Sequence, residues 1–318
     1  MEIVDNYSIP RRIWRIIYPV LIYLGVSAVI GAVIGVVLSM SAAFDIVWSG
    51  DVIDETVLIG DIERIIGDNT MNILFTSSFI LLAIFIPIWL KVRKRIRPSR
   101  NEGPVLAGGL TAVFFAAFST LLMYLFSIID VSRLFPTDAL DLTELFTAGP
   151  FALQVLTVGI IVPIVEELCF RGIMMERMRW MPVWVCVLVQ GVLFGLAHLN
   201  LFQASYAAVV GILLGLLYVK YRSMIVVIIG HAAFNIASLT LVEFGAEDLH
   251  VPTVLILSVA AIVVSAVLLI KQPGAQLIFI TEPESILAGF AGHSAAEPAG
   301  PYGIQHQQEE YEHFPYEP

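Results

Sequence analysis

Long apolar runs alternate with short polar connections along most of this 318-residue chain. A helix needs ~20 predominantly apolar residues to cross a bilayer, and runs near that length recur throughout the sequence. They cover approximately residues 15–40, 71–90, 104–129, 149–170, 182–200, 203–220, 224–242 and 251–270. The pattern therefore predicts an all-α polytopic membrane protein with about eight transmembrane helices. Gly-x-x-x-Gly motifs that begin at Gly31, Gly191 and Gly211 predict close packing between some of these helices.

The composition supports the same class. Hydrophobic residues make up 58% of the chain and charged residues 14%, whereas soluble domains contain roughly 45–50% and about 25%. The two cysteines, Cys169 and Cys186, form neither a disulfide framework nor a CxxC metal pattern. Nothing in the distribution of basic residues favours nucleic-acid binding.

Lysine and arginine predict the orientation, because they are enriched in cytoplasmic loops. Basic residues precede the first run, follow the second and fourth, separate the sixth from the seventh, and end the eighth. With both termini in the cytoplasm, all of the 17 basic residues except Arg64 and Arg133 fall on the inner side. We therefore expect a multi-pass protein of the cell membrane with cytoplasmic N- and C-termini.

These features divide the chain into four regions. Residues 1–148 are expected to form an N-terminal membrane region of three helices, and 149–240 the core that carries the polar motifs. Residues 241–272 would be the last transmembrane helix. Residues 273–318 are rich in Pro, Gly, Ala, Gln and Glu, a composition that predicts a disordered acidic cytoplasmic tail.

Two adjacent acids in the fourth run form the most unusual feature of the pattern. Ionisable groups inside a membrane are costly, so Glu166-Glu167-x-x-x-Arg171 marks a candidate functional site. Glu167 and Arg171 have the i,i+4 spacing of a helical ion pair. Glu166 points ~100° away, which leaves it available for chemistry. Pro163 precedes the pair and can kink the helix. A purely structural charge cluster is the alternative interpretation.

Two further polar motifs lie in the fifth and seventh runs. Phe194-x-x-x-His198 and His231-x-x-x-Asn235 each place two side chains on one helical face. Either histidine alone could be a packing residue, and asparagine can hold membrane helices together. Their occurrence beside the Glu pair makes a shared site the stronger interpretation.

Residue counting gives a mixed picture of whether these groups share one depth. Glu166 lies 16 residues before Pro182 and His198 lies 16 residues after it, so an antiparallel hairpin would set them at one level. His231 is only about 12 Å from the inner turn at Ser223, against about 24 Å for the other two, at 1.5 Å per residue. We therefore expect the hairpin of the fourth and fifth runs to protrude into the cytoplasm, or the seventh run to begin deeper.

The polar set allows two kinds of hydrolysis. A carboxylate and a histidine can deprotonate a water for attack on a carbonyl, while a second histidine and an asparagine stabilise the oxyanion. Alternatively, Glu166, His198 and His231 match the ligand types of a catalytic site for a divalent metal such as zinc. The absence of an HExxH motif favours the glutamate-activated water.

The three motifs, in this order on successive membrane helices, resemble those of the CPBP family. That family includes the type II CAAX prenyl endopeptidases and bacteriocin-processing or immunity-associated membrane proteins. The resemblance covers roughly residues 149–240 and implies an intramembrane peptidase. By position it implies that Glu166 and His198 activate water and that His231 and Asn235 stabilise the oxyanion or help to bind a metal. Glu167 and Arg171 would support the site.

The expected partners are the lipid bilayer and a membrane-bound peptide or lipidated protein as substrate. Two other functions remain open from the sequence. One is a non-catalytic membrane scaffold or bacteriocin-immunity protein of the same fold. The other is a proton-coupled transporter, since buried acids and histidines also form proton relays, although no repeated half of the chain supports it.

Overall fold

Helices make up most of the residues that the structure describes, and those residues contain no β-strand. The computed structural model describes residues 8–49, 55–93, 104–129, 149–245 and 251–274. Apart from Pro273 and Gly274, the predicted tail lies outside these residues. The helices are α1 (Ile9–Ser49), α2 (Glu55–Arg93), α3 (Pro104–Ile128), α4 (Phe151–Met175), α5 (Val183–Leu196), α6 (Leu201–Tyr221), α7 (Met224–Phe244) and α8 (Val251–Lys271). Each overlaps one predicted run, so the all-α membrane fold is confirmed.

Length distinguishes one helix from the rest. Seven of the described helices are long and apolar enough to cross a membrane. The exception is α5, whose 14 residues span about 21 Å, less than the ~30 Å hydrocarbon core. The predicted run 182–200 is therefore too long as a helix. The chain turns after Leu196, and the side chain of Asn200 caps α6 by accepting a hydrogen bond from the Gln203 amide at 2.8 Å.

The fourth helix forms the centre of the molecule. In its most apolar window 61% of the residues are buried, against 11% for α1. It packs against α1, α2, α5 and α7, while α3 packs against α7 and α8. Because α4 carries the Glu pair, the packing places these acids inside the protein.

The backbone of α4 departs from a regular α-helix on both sides of the Glu pair. Residues Val155–Ile161 and Leu168–Met175 wind as π-helix, with α-helical turns at Phe151–Gln154 and Val162–Glu167. The Val162 amide donates to the Thr157 carbonyl, five residues earlier. Pro163 follows and has no amide to donate. Isolated π-helical turns of this kind are frequent at functional sites.

Glycines bring α5 and α6 into backbone contact, as the sequence predicts. A Cβ atom on Gly211 would lie 3.1 Å from the Gly191 Cα, and one on Gly195 would lie 2.6 Å from the Ala204 carbonyl oxygen. The motif at Gly31 differs, since a Cβ there would meet only Ile73 of α2, at 3.9 Å. The close approach therefore belongs to the α5–α6 pair.

This contact predicts opposite outcomes for two glycine-to-alanine substitutions. Gly195→Ala forces α5 away from the α6 backbone, and overpacking of this kind costs about 1–3 kcal/mol. Gly25→Ala in α1 meets nothing within 4 Å and gains helix propensity of up to about 1 kcal/mol. Thermal unfolding in detergent should show a lower midpoint for Gly195→Ala alone. Equal midpoints for the two variants would contradict the packing.

Candidate active site

Both carboxylates of the Glu pair are buried, with exposed fractions of 4% for Glu166 and 0% for Glu167. Glu167 Oε1 accepts a hydrogen bond from Arg171 Nη1 at 2.8 Å, which confirms the predicted i,i+4 ion pair. Glu166 has no arginine partner among the described contacts. The two acids therefore differ in their electrostatic surroundings although they are adjacent in sequence.

Three helices provide acceptors for the buried guanidinium of Arg171. Besides Glu167 on α4, the Gly211 carbonyl of α6 accepts from Arg171 Nη2 at 2.8 Å. The ring of Phe194 on α5 lies 4.8 Å from the guanidinium carbon, in a cation–π contact. Gln190 Nε2 donates to the same Gly211 carbonyl at 2.7 Å. A buried charge needs this combination of pairing and hydrogen bonding to be tolerated.

His231 of α7 lies between the two acids. Its Nδ1 is 2.8 Å from Glu167 Oε1, and its Nε2 is 3.5 Å from Glu166 Oε2. A carboxylate oxygen only accepts, so Nδ1 carries a hydrogen and donates a hydrogen bond to Glu167. The result is a continuous series of contacts from Arg171 through Glu167 and His231 to Glu166.

The close contact of α7 with the Glu pair corrects the estimate of depth made from residue counting. That estimate treated all 16 residues from Glu166 to Pro182 as rise along a helix. The helical residues end at Arg177, so Glu166 lies only about 16 Å from the helix end at 1.5 Å per residue. This value is close to the distance of about 12 Å between His231 and the inner turn at Ser223. Met174, Met175 and Met178 are buried by protein, and protrusion of the hairpin stays a prediction.

His198 lies in the turn after α5 and not within the helix. Its Nδ1 is 2.8 Å from the Phe194 carbonyl oxygen, so Nδ1 donates and Nε2 remains as the second ring nitrogen. The Phe194 ring contacts both imidazoles, with centroid distances of 5.0 Å to His198 and 5.6 Å to His231. The contacts described for Glu166 and His198 include none between the two, in contrast to the pairing expected from equal depth.

Asn235 connects α7 to the first π-helical segment of α4. Its Nδ2 donates to the Val158 carbonyl oxygen at 2.8 Å. The amide group has a second hydrogen, which this bond leaves available. Asn235 therefore fixes the relative position of the two helices on the side of the site one turn beyond His231.

Tyr23 of α1 is a site residue that the sequence analysis missed. Its hydroxyl donates to Glu166 Oε1 at 2.6 Å, and its ring packs edge-on against Phe170 at 6.4 Å. A tyrosine in an apolar run carries a hydroxyl that needs a partner once it leaves water. That signal was present at Tyr23, but it does not say which helix provides the partner.

Comparison with known families assigns the segment that contains these residues. The model of the family described as type II CAAX prenyl endopeptidase Rce1-like matches residues 148–237. This segment belongs to that family. No curated protein and no solved structure matches the chain. The match supports the assignment of this segment to the CPBP family, to which the three motifs point.

In this Rce1-like domain, the donor set expected for a metal is not assembled. The residues that the structure describes include no group of three His, Cys, Asp or Glu side chains arranged to hold an ion. His231 directs Nδ1 to Glu167, and His198 directs Nδ1 to a backbone carbonyl. Both bonds leave Nε2 available, but no group of three donors is found among the described residues, so the structure gives the metal scheme no support.

The buried ion pair of the Rce1-like domain predicts a large effect of removing its cation. Arg171→Met leaves Glu167 buried without its arginine, and breaking a buried pair costs about 3–5 kcal/mol. The matched control is Arg179→Met. Arg179 is 33% exposed and 3.9 Å from Glu176, and such pairs contribute at most about 1 kcal/mol. In mixed micelles, the free energy of unfolding should therefore fall much further in Arg171→Met than in Arg179→Met. Equal losses of stability in the two variants would contradict the role of Arg171.

Proposed function

We propose that the chain is an intramembrane endopeptidase that hydrolyses a peptide bond of a membrane-associated protein or peptide. The observation that carries this proposal is the unequal pairing of the two acids. Arg171 pairs with Glu167 at 2.8 Å, while the contacts described for Glu166 are with an imidazole and a phenol. A buried carboxylate without a permanent cation is suited to accept and release a proton.

In the proposed reaction, Glu166 takes a proton from a water molecule as the water oxygen attacks the carbonyl carbon of the peptide bond. His198 holds the water through Nε2, the nitrogen that its bond to the Phe194 carbonyl leaves available. The carbonyl oxygen becomes an oxyanion and accepts hydrogen bonds from His231 Nε2, in its protonated form, and from the second amide hydrogen of Asn235. Glu166 then transfers its proton to the leaving amine as the C–N bond breaks.

Glu167 and Arg171 support the reaction without taking part in proton transfer. Glu167 accepts from His231 Nδ1, which fixes the ring so that Nε2 faces Glu166 and the substrate. Arg171 holds the Glu167 carboxylate in place through the 2.8 Å ion pair. These contacts explain why two adjacent acids would have different functions.

For the substrate we propose a lipid-anchored peptide or protein. The matched family is named for prenylated CAAX substrates, and the acids lie within a membrane protein at less than a tenth of their full exposure. A lipid anchor would bring the scissile bond to the membrane in which the site lies. A prenylated peptide of the CAAX type is therefore the first substrate to test.

The test compares two buried glutamates, Glu166 of α4 and Glu176 directly after it. Glu166→Gln removes the proposed base and should lower turnover of a prenylated peptide by at least about 100-fold, and His198→Ala should lower it as well. Glu176→Gln is the matched control, because Glu176 is also buried and also accepts from a tyrosine, Tyr218, at 2.8 Å. Product release is measured by mass spectrometry with protein reconstituted in liposomes.

Three results of this comparison would count against the proposal. Wild-type turnover in both Glu166→Gln and His198→Ala would refute the roles proposed for these two residues. Equal losses in Glu166→Gln and Glu176→Gln would indicate a general effect of removing a buried acid. Activity that disappears on metal depletion and returns with zinc would replace the glutamate scheme by the metal scheme.

We also propose that both termini face the cytoplasm. Basic residues from separate parts of the chain meet at one end of the molecule. Arg177 donates to the Arg15 carbonyl at 2.6 Å, Arg222 pairs with Glu176 at 2.6 Å, and Lys220 donates to the Leu269 carbonyl at 2.7 Å. The beginning of α1 and the ends of α4, α6 and α8 therefore share this end, which the preference for basic inner loops makes cytoplasmic.

Cysteine labelling can test this orientation in a background with Cys169 and Cys186 replaced by alanine. Leu199 in the α5–α6 turn and Ser8 before α1 are both exposed. Leu199→Cys should react with a membrane-impermeant maleimide in intact cells, whereas Ser8→Cys should react only after permeabilisation. The opposite pattern would invert the proposed topology.

A further inference from the structure

The hydroxyl of Tyr23 makes a contact that the proposed mechanism does not yet use. Tyr23 lies on α1, far outside the matched segment 148–237. It donates to Glu166 Oε1 at 2.6 Å, a length typical of hydrogen bonds from a hydroxyl to a charged oxygen. The proposed base therefore has a fixed hydrogen-bond partner on a helix that the family segment does not include.

This bond divides the two oxygens of Glu166 between two neighbours. Oε1 accepts from Tyr23, and Oε2 lies 3.5 Å from His231 Nε2. A glutamate side chain has several rotatable bonds and loses rotamer freedom when it is ordered. With Oε1 held by α1, Oε2 stays on the side of His231, and the carboxylate does not have to be ordered during the reaction.

We propose that Tyr23 is a positioning residue of the peptidase reaction, acting through Glu166. This inference rests on the proposed function, because it presumes that Glu166 is the base. The Tyr23 ring, packed edge-on against Phe170 at 6.4 Å, sets the direction of the hydroxyl. The active site thus extends from the matched domain to the N-terminal helix.

A purely structural link between α1 and α4 is the competing explanation, and the chain contains a second tyrosine that separates the two. Tyr18, also on α1, accepts a hydrogen bond from Arg177 Nη2 of the chain directly after α4, again at 2.6 Å. Tyr18 and Tyr23 therefore join the same two parts of the fold with bonds of equal length. Only the bond of Tyr23 reaches a member of the Glu pair.

The experiment compares Tyr23→Phe with Tyr18→Phe in the full chain reconstituted in liposomes, with a fluorogenic prenylated peptide as the probe. Each variant loses one hydroxyl and keeps its ring. Tyr23→Phe should lower kcat about 10- to 100-fold with KM unchanged, because Glu166 loses the charge-assisted hydrogen bond that orients it. Tyr18→Phe should leave kcat within about twofold of wild type, even if its thermal midpoint falls.

A double-mutant cycle keeps the test independent of turnover. Unfolding of Tyr23→Phe, Glu166→Met and the double variant should reveal an interaction between the two side chains. Absence of that interaction would overturn the proposal, because the hydrogen bond would then not exist in the membrane. An interaction with unchanged kcat in Tyr23→Phe would overturn it too, by showing that the bond is only structural.

The controls also separate this proposal from the function on which it rests. Full loss of activity in Glu166→Gln with wild-type kcat in Tyr23→Phe would refute the role of Tyr23 and leave the peptidase proposal standing. Wild-type kcat in Glu166→Gln would refute both. The geometry predicts a lower kcat in Tyr23→Phe, a wild-type kcat in Tyr18→Phe and loss of activity in Glu166→Gln.

Discussion

The guanidinium of Arg171 has no exposed surface, and much of the core is arranged around the need to satisfy it. Glu167 supplies the compensating charge, and the Gly211 carbonyl supplies a second acceptor at 2.8 Å. The carbonyl is within reach because glycines let α5 and α6 approach closely. Close packing of α5 and α6 and stabilisation of Arg171 therefore depend on each other. A larger residue between these helices would also displace the Gly211 carbonyl that accepts from Arg171.

The same ion pair separates the two acids of α4 into different roles. Glu167 is engaged by Arg171 and by His231 Nδ1, so its charge is balanced and its position fixed. Glu166 shares the helix and the burial but has no such cation. Its described contacts are with the phenol of Tyr23 and the imidazole of His231. The asymmetry between neighbouring residues therefore arises from what each one meets on other helices.

Local patterns predict the parts of this structure that depend on neighbours in sequence. The eight helices follow from apolar runs, and the Glu167–Arg171 pair follows from i,i+4 spacing. Features that depend on distant parts of the chain could not be predicted. The position of His231 beside the Glu pair depends on where the helical residues that follow α4 end, at Arg177, and the place of His198 in a turn depends on where α5 ends, at Leu196. No residue pattern predicted the π-helical turns of α4.

Tyr23 shows why the N-terminal helix matters although little of it is buried. In a membrane, lipid chains replace apolar packing at almost no cost, so hydrogen bonds between helices count for more in holding them together. Only 11% of the apolar window of α1 is buried, yet its two tyrosine hydroxyls are bonded to Glu166 and Arg177. The hydrogen bond from Tyr23 to Glu166 therefore both attaches α1 to α4 and orients the Glu166 carboxylate. Movement of α1 away from α4 would break this bond and release Oε1 of Glu166.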